Sequence, residues 1–421
     1  MNNSINEFLT FLSRKSIQYR FLNMDFEDSN ELSSDNDLLL RKSDFCNINN
    51  LINLFCQESN MSRIQEYRHS FFATNIILIS RDYKSFLNLD FYCDLYYNGI
   101  KFENNEILFR DSVDFRGRTN LLPKYDFAQY LIKKINKGGL SKSSFEKVLR
   151  FYNLDITGCQ TVIKNYIPHN NLLNLFNSLD SQNFIKFQSS ILEIELPKNK
   201  FSVKLFTISN FFRFFSRILN PTGLSICFLG PDGSGKSSII SNLLSKQLPF
   251  RRHDYFHLTP LKPSNSLVEK PNIPSRNNEY PFIISFIKLI YYFFMYNISW
   301  LINIYPKKIQ SSLVIFDRYY DDLLIDPARF RYKGSVKIIQ FVKRIIPSPD
   351  IYFILTTSPD IIFKRKQELS KKEILYQVNK YQKMKNNNVI QIDVNKSIED
   401  ITLKVYHEII SYMSVRQKKE V

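Results

Sequence analysis

The sequence predicts an α/β protein whose C-terminal half contains a parallel sheet covered by helices on both faces. Three observations support this fold class. With 421 residues, the chain exceeds the size at which one hydrophobic core stops growing, so two or three domains are expected. After residue 221, short Ile- and Val-rich runs alternate with helical patterns. The N-terminal half lacks that alternation and is typical of an α+β domain with a helical extension.

The C-terminal half contains four short apolar runs that predict buried strands. Each is followed or preceded by residues with helical spacing. One predicted helix spans Ser237–Leu248, and another is capped by Ser397, with Asp400 three residues later. The predicted strands are Ser225–Leu229, Leu313–Phe316, Ile351–Thr356 and Val389–Ile392. Strands of this composition, separated by helices, form parallel sheets.

The N-terminal half predicts fewer strands and more helices. Asp37–Leu40 and Phe86–Asp90 read as strands, Asp126–Lys137 reads as a helix, and more helices follow to about residue 180. The basic, amphipathic stretch Phe206–Leu219 precedes a run of breaker residues. The predicted domains are 1–120 (α+β), 121–205 (mainly helical), 206–220 (amphipathic connector) and 221–421 (parallel α/β).

Composition favours a cytoplasmic protein with anionic partners. Hydrophobic residues make up 44% and charged residues 23%, as in soluble globular proteins. None of the five cysteines lies within three residues of another, which excludes CxxC metal and redox motifs and suits a reducing cytosol. The N-terminus shows no signal-peptide pattern. A net charge of +17 favours phosphates, nucleic acid or an acidic membrane, unless it only reflects a basic compositional background.

One apolar segment, Phe282–Ile304, is long enough to cross a membrane. Lys288, Asn297 and Asn303 interrupt it. A long buried or substrate-lining helix is therefore the favoured interpretation, and peripheral contact with a membrane is the alternative.

The strongest motif is the glycine-rich run from Gly230 to Ser237, GPDGSGKS, which lies between a predicted strand and a predicted helix. Its glycines let successive backbone N–H groups point at phosphate oxygens, and the following helix adds its positive end. Lys236 reaches the terminal phosphates of a nucleoside triphosphate, and the Ser237 hydroxyl binds Mg²⁺. The predicted cofactor-binding residues are Gly230, Gly233, Ser234, Gly235, Lys236, Ser237 and Ser238.

Two further signals lie at the ends of later strands. Asp317 ends the strand Leu313–Phe316, where an acid can hold Mg²⁺ directly or through water, and Arg318 can bind an acceptor phosphate or the transferring group. Arg365 lies in a basic segment after the strand Ile351–Thr356. Arg365 is the candidate cation of a lid that closes over ATP. The alternative is that this segment is only the solvated, basic face of a helix.

Together these segments resemble the thymidylate kinase-like nucleotide kinases. The matching runs are GPDGSGKSS (230–238), DRYYDDLLIDPARFRY (317–332) and PDIYFILTTSPDIIFKRKQELS (349–370), within about residues 221–415. The resemblance implies a P-loop kinase fold that uses ATP and Mg²⁺. It also implies that Asp232 faces the acceptor and that Arg318 binds the acceptor phosphate.

The chain departs from thymidylate kinases where their Arg-Pro-Gly-Gly segment would grip the monophosphate, because Tyr255–Pro260 contains no arginine. The whole pattern resembles long thymidylate kinase-like proteins associated with bacterial surface-polysaccharide synthesis, which implies a sugar or glycan acceptor in place of dTMP. Asp326 also fits a simple helix-capping turn. The residues expected to line the acceptor site are His257, Asp322, Asp326, Arg329 and Arg331.

The N-terminal half resembles the minimal nucleotidyltransferase fold over about residues 15–110. Asp35 and Asp37 lie two apart on a predicted strand and face the same way, and Asp90 ends a later strand, so the three could hold divalent cations. The Gly-Ser pair that precedes the acids in that family is missing, and Tyr19–Leu22 takes its place. This implies a domain that is inactive or only binds substrate. Surface turn acids are the alternative for Asp35 and Asp37.

Three functional hypotheses follow. The first is an ATP- and Mg²⁺-dependent kinase for a nucleotide, sugar or glycan, with Asp232 as the acceptor-orienting group or base. The second is a bifunctional enzyme with nucleotidyl transfer in the N-terminal half. The third is a binding protein for nucleic acid or membrane that a nucleoside triphosphate controls, although no aromatic-plus-basic nucleic-acid motif occurs.

Overall fold

The computed structural model describes residues 2–23, 36–110, 112–115, 117–246, 248–263, 279–365, 370–384, 386 and 388–420. The chain forms two compact units. Unit 1 comprises Met1–Phe215 with Gln417–Val421, and unit 2 comprises Ser216–Arg416. Each unit has its own sheet and its own hydrophobic core.

Unit 1 contains a mixed seven-stranded sheet in the order β3-β4-β5-β2-β1-β9-β8, and a separate β6-β7 pair. The β2–β5 and β1–β9 neighbours are parallel, and the other neighbours are antiparallel. The strands are β1 (Tyr19–Phe21), β2 (Asn36–Leu40), β3 (Met61–Ser70), β4 (Ala73–Ser80), β5 (Phe86–Tyr92), β6 (Tyr96–Tyr97), β7 (Ile100–Lys101), β8 (Val113–Phe115) and β9 (Arg118–Asn120).

The helices between residues 123 and 192 follow the strands of unit 1 in sequence and build most of a second apolar cluster, to which Phe127 and Phe151 contribute fully buried rings. Helix α5 begins at Pro123, earlier than the predicted Asp126, because proline is favoured in the first turn of a helix. The helices are α1 (Asn2–Arg14), α2 (Lys42–Cys46), α3 (Ile48–Glu58), α4 (Asn105–Arg110), α5 (Pro123–Asn136), α6 (Lys142–Leu154), α7 (Ile156–Ile163), α8 (His169–Asp180), α9 (Phe184–Leu192) and α10 (Lys200–Leu219).

Unit 2 contains a five-stranded parallel sheet in the order β11-β12-β10-β13-β14. Every residue of the central strands β10 and β12 is buried, as expected for strands covered on both faces. The strands are β10 (Leu224–Leu229), β11 (Arg252–His257), β12 (Ser312–Asp317), β13 (Ile351–Thr356) and β14 (Val389–Asp393). The predicted α/β class is confirmed, with a parallel C-terminal sheet and a mixed N-terminal sheet.

The helices of unit 2 alternate with its strands along the chain. The predicted helix Ser237–Leu248 ends at Leu244. The helices are α11 (Lys236–Leu244), α12 (Phe282–Ser299), α13 (Tyr305–Ile309), α14 (Asp321–Ile325), α15 (Val336–Ile345), α16 (Pro359–Arg365), α17 (Lys371–Gln382) and α18 (Ile398–Glu420).

The segment Phe282–Ile304 is helical but mostly exposed, so the prediction of a buried helix is wrong, whereas a substrate-lining helix stays a prediction. A π-helical turn, Trp300–Ile304, joins α12 to α13, and only 28% of the most apolar window of this continuous helix is buried. Its core-facing side carries Leu289, Tyr296 and Trp300, while Ile283 and Leu301 are about 70% exposed. Because apolar residues occupy all sides of this helix, the sequence does not indicate which side packs against the core. Among the described residues, this is the one helix long and apolar enough to span a membrane.

Candidate phosphate-transfer site

The glycine-rich loop connects the carboxyl end of β10 to the amino end of α11, so its backbone lies at the edge where parallel strands end. Gly233 and Gly235 have φ angles of 84° and 90°, which glycine adopts without strain. A Cβ on Gly230 would lie 2.9 Å from Ser234 Oγ and 3.0 Å from the Leu355 carbonyl oxygen. A Cβ on Gly235 would meet no atom within 4 Å, so the loop encloses open space on that side.

Lys236 begins α11, and its side chain is folded back over the loop. Its Nζ donates hydrogen bonds to the carbonyl oxygens of Gly230 and Pro231, each at 3.0 Å, and the residue is only 4% exposed. Burial, and then the nearby charge of Arg318, lower the pKa of this lysine. The carboxylates of Asp317 and Asp232 partly offset these effects, but both hydrogen-bond acceptors of the ammonium are neutral, and an anion in the loop would add a direct counter-charge.

Asp317 ends β12 and is completely buried. Its Oδ2 accepts a hydrogen bond of 3.2 Å from the Tyr255 hydroxyl, and His257 Nδ1 lies 3.9 Å from the same oxygen. Its Oδ1 has no hydrogen-bond partner among the described residues. Phe228 is the register partner of Asp317, so the carboxylate lies beside the strand end that leads into the loop.

Arg318 lies at the centre of a buried ion-pair network. Its guanidinium donates to Asp322 Oδ2 at 2.5 Å and to Asp232 Oδ1, and Arg329 donates to Asp232 Oδ2 at 2.8 Å. Burial alone would lower the pKa of Arg318, but the carboxylates of Asp322 and Asp232 outweigh burial and raise it well above its usual value. The left-handed backbone at Arg318, with φ of 73°, aims the side chain into this network.

Hydrogen bonds connect the carboxylates of Asp322 on helix α14 and Asp326 after it to helix α17. Tyr381 donates a 2.8 Å hydrogen bond to Asp322 Oδ1, and Gln377 donates one of 3.0 Å to Asp326 Oδ2. Asp326 Oδ1 also accepts from the Arg329 backbone N–H at 3.1 Å. The network therefore holds the arginines in fixed positions beside the loop.

A cleft of about 470 Å³ opens over the glycine-rich loop. Its wall opposite the loop includes Arg365 from the end of α16 and Lys396 from the segment after β14. Val394, Ile398 and Ile401 add apolar surface. A site that combines loop amides, cations and an apolar wall suits a nucleotide, whose phosphates are anionic and whose base is flat and weakly polar.

Comparison with known proteins agrees with this geometry. The thymidylate kinase family model matches residues 228–405. Residues 228–405 are therefore a domain with similarity to thymidylate kinases. Similar solved structures include the thymidylate kinase of Candida albicans, with 19% identity over 46% of this chain and 93% of that one, at a TM-score of 0.31. The thymidylate kinase of Ehrlichia chaffeensis has 20% identity over 45% and 99%, at 0.30. No curated protein matches the chain.

ATP and Mg²⁺ are the cofactors of thymidylate kinase family domains, and the residues present fit both. The unpartnered Oδ1 of buried Asp317 is the kind of hard oxygen that Mg²⁺ binds. Ser237 lines the cleft at the start of α11 and can supply a hydroxyl. The Ser234 hydroxyl is also buried, and no described residue forms a hydrogen bond with it. These three oxygens and Lys236 would hold the metal and the phosphates.

The predicted donor-site residues of the kinase domain lie together. Asp317 and Arg318 lie next to the loop. Two members of the predicted acceptor set, Asp322 and Arg329, belong to the same ion-pair network as Arg318. Arg331 instead contacts Tyr280, with its guanidinium 3.9 Å from the ring centre. The cleft itself is lined by Asp232, Gly233, Ser234, Gly235, Lys236, Ser237, Ser238 and Arg365.

Several functional candidates in the kinase domain were missed from the sequence. Lys396 follows β14, and a position just beyond a parallel strand's carboxyl end is a signal that could have identified it. In sequence, the segment around Tyr255 stands out only because it lacks arginine, yet the Tyr255 hydroxyl donates a hydrogen bond to Asp317. Tyr381 and Gln377 lie on α17 with ordinary helical spacing, so no local pattern indicates their role.

The acids predicted in unit 1 are only partly described. Asp35 lies outside the described residues. Asp37 and Asp90 are register partners on the parallel strands β2 and β5, so both side chains point to the same face of the sheet. His69 Nε2 lies 3.2 Å from Asp90 Oδ1. Among the described residues, no group of three or more His, Cys, Asp or Glu side chains could hold a metal.

Proposed function

We propose that this protein is an ATP- and Mg²⁺-dependent kinase that transfers a phosphoryl group to a nucleotide, sugar or glycan acceptor. The observation that carries the proposal is the position of the unpartnered, buried Asp317 Oδ1 beside the loop that holds Lys236. Burial of such a carboxylate is costly unless a cation binds it, and Asp317 lies at the end of the strand next to the one that leads into the phosphate-binding loop. Buried polar atoms are usually paired with protein, water or an ion, and a cation bound at this oxygen would satisfy it.

Phosphoryl transfer is chiefly a matter of positioning and charge stabilisation, and the site supplies both. Lys236 moves from the loop carbonyls to the phosphates. Arg318 and Arg365 approach from two sides and stabilise the transferring group. Asp232 orients the acceptor, because it faces the side of the loop where Arg318 and Arg329 converge. Bound Mg²⁺ supplies further positive charge at the phosphates.

Lys236→Ala tests the donor side. We expect ATP turnover to fall at least a hundredfold, because the variant loses the one cation that begins the loop helix. The control is Lys404→Ala, which removes the same charge from an exposed position on α18 and should retain parental turnover. Near-parental turnover in Lys236→Ala would remove the donor-site assignment.

Arg329→Ala tests the acceptor side. Acceptors are first identified by incubating the protein with labelled ATP and separate pools of nucleotides, sugars and glycans. The variant should raise the KM for the acceptor about tenfold or more and leave the KM for ATP near its parental value, because Arg329 pairs with Asp232. An equal rise in both values would place Arg329 outside the acceptor site.

Nucleotidyl transfer in unit 1 is the second candidate function. The observation that favours it is the alignment of Asp37 with Asp90, since two such carboxylates can share divalent cations. The test is release of pyrophosphate from nucleoside triphosphates by the parent and by Asp37→Asn, with Asp82→Asn as a control on an exposed turn. No release by the parent, or equal release by Asp37→Asn, would exclude this activity.

A further inference from the structure

The continuous helix that begins with α12 carries an uncovered apolar stripe on the side turned away from the core. Its large apolar side chains recur three and four residues apart, so they lie on one face of the helix. At 1.5 Å per residue, this α12 stripe is about 30 Å long. Its principal residues, each at least 41% exposed, are Ile283, Ile287, Ile290, Phe294, Ile298 and Leu301.

The opposite side of the same helix is held in the core of unit 2. Trp300 stacks on Phe316 with ring centres 6.2 Å apart, and the Tyr296 hydroxyl donates to the Leu258 carbonyl oxygen at 2.6 Å. Because folded unit 2 keeps these contacts, the helix cannot cross a bilayer, and a partner can reach only the α12 stripe. Exposed apolar patches of more than a few hundred Å² are typical of surfaces that bind a protein or a membrane.

The surface beside the α12 stripe is cationic. Helix α15 contacts α12, and its exposed face carries Lys337, Phe341 and Arg344, four and three residues apart. Lys333 lies near the beginning of the stripe, because its backbone N–H donates to Ser285 Oγ at 3.0 Å. Among the described residues, none forms an ion pair with these three cations. Neither the continuous helix, residues 282–309, nor α15 contains an acidic residue.

This charge distribution distinguishes a membrane from a second copy of the chain. A two-fold dimer places the same patch of both subunits in one interface, so it would bring the cations of α15 together without an acid on either helix to balance them. An anionic bilayer instead presents the opposite charge over the whole area. The net charge of +17 adds attraction at longer range. The cations therefore favour the bilayer.

We propose that unit 2 docks on the surface of an anionic lipid bilayer through the α12 stripe. The helix lies in the plane of the membrane, with Ile287 and Phe294 among the upper parts of the acyl chains. Lys337 and Arg344 lie at the level of the lipid phosphates. Tyr291 is 55% exposed and has the amphipathic ring that suits this boundary. The inference concerns where the protein binds, and it holds whether or not unit 2 is a kinase.

The experiment is flotation of the full-length protein with vesicles of phosphatidylcholine alone and of phosphatidylcholine mixed with phosphatidylglycerol. We expect binding to the anionic vesicles that weakens as salt is added. Ile287→Ser/Phe294→Ser should weaken this binding at least tenfold, because two large apolar side chains no longer leave water. Ile287→Leu/Phe294→Leu keeps the apolar surface and should retain binding, which separates lost docking from lost folding.

Two matched controls accompany the cationic and apolar variants. Lys337→Gln/Arg344→Gln should weaken binding to the anionic vesicles about thirtyfold, since each cation near an anionic surface contributes about a fivefold change. Lys383→Gln/Lys404→Gln removes the same charge from other exposed positions of unit 2 and should have a much smaller effect. Leu173→Ser/Ile185→Ser removes apolar side chains that are 69% and 76% exposed in unit 1, and it should retain binding.

Sedimentation velocity without lipid tests the competing partner, a second copy of the chain. We expect the same oligomeric state for the parent and for Ile287→Ser/Phe294→Ser. A parental dimer that this variant converts to a monomer, with no vesicle binding by the parent, assigns the α12 stripe to a second copy and overturns the proposal. Equal binding to the two kinds of vesicle, or undiminished binding by the double serine variant, also overturns it.

Discussion

Asp322→Asn removes one charge from the centre of the ion-pair network and changes almost no volume. Asp322 is 2% exposed, lies 2.5 Å from an Arg318 nitrogen and accepts the Tyr381 hydroxyl at 2.8 Å. The asparagine can still accept one hydrogen bond, but of the two ion pairs that Arg318 forms among the described residues, only that with Asp232 remains. The substitution therefore isolates the electrostatic part of the network.

The expected loss of unit 2 stability is about 2–3 kcal/mol. Removal of one partner from a buried ion pair costs about 3–5 kcal/mol when the other charge is left uncompensated, and the remaining Asp232 reduces that cost. Tyr381→Phe should cost about 1–2 kcal/mol, because a hydrogen bond to a charged group is lost. The two changes act on the same carboxylate, so the double variant should cost at least about 0.5 kcal/mol less than their sum.

The assay is urea unfolding followed by tryptophan fluorescence. The chain has one tryptophan, Trp300, and it is buried in the core of unit 2, so the signal follows that unit alone. This matters because a chain with two units does not have a single unfolding transition. A loss below about 1 kcal/mol for Asp322→Asn, with strictly additive single variants, would refute the network as the element that positions Arg318.

Three other predictions follow. Gly235→Ala should destabilise unit 2 by about 1–2 kcal/mol through backbone strain alone, since its Cβ meets no atom, and Trp300 fluorescence measures this loss. Exposed Cys46 should react first with a thiol reagent at pH 8, whereas burial raises the pKa of Cys56 to about 11, so its labelling by mass spectrometry should increase about tenfold per pH unit towards that value. Because burial lowers the pKa of Lys236 in the folded state, the unfolded chain binds more protons between that pKa and 10.5. The free energy of unfolding should therefore rise with pH through that window, more steeply than in Lys236→Met.

The parallel sheet and the phosphate loop were predictable because their signals are local. A buried strand, a glycine-rich turn and a helix start follow one another within 20 residues, and each has its own composition. Asp317 was predictable for the same reason, since it directly follows an apolar run. Parallel topology then places such strand ends on one edge, so the joining of Asp317 to the loop needed no further information.

The missed features depend on tertiary contacts. The hairpin β3–β4 was not predicted because Phe71 and Phe72 occupy its turn, where Asn-Gly or Asp-Gly would give a signal. The contact between Tyr381 and Asp322 joins residues 59 positions apart, and neither has an unusual neighbour in sequence. The exposure of α12 could not be predicted because apolar residues occupy its whole circumference.

Asp232 shows how the proposed kinase could limit hydrolysis of ATP by water. Both of its carboxylate oxygens accept guanidinium N–H groups, one from Arg318 and the other from Arg329. The two guanidinium groups take up part of the accepting capacity of this carboxylate, so they reduce its ability to orient an acceptor. A phosphoryl group in transfer, or an anionic acceptor, competes for the same arginines and releases an Asp232 oxygen. In the proposed kinase, Asp232 therefore gains accepting capacity as the substrates draw the arginines away, which couples catalysis to the presence of both substrates.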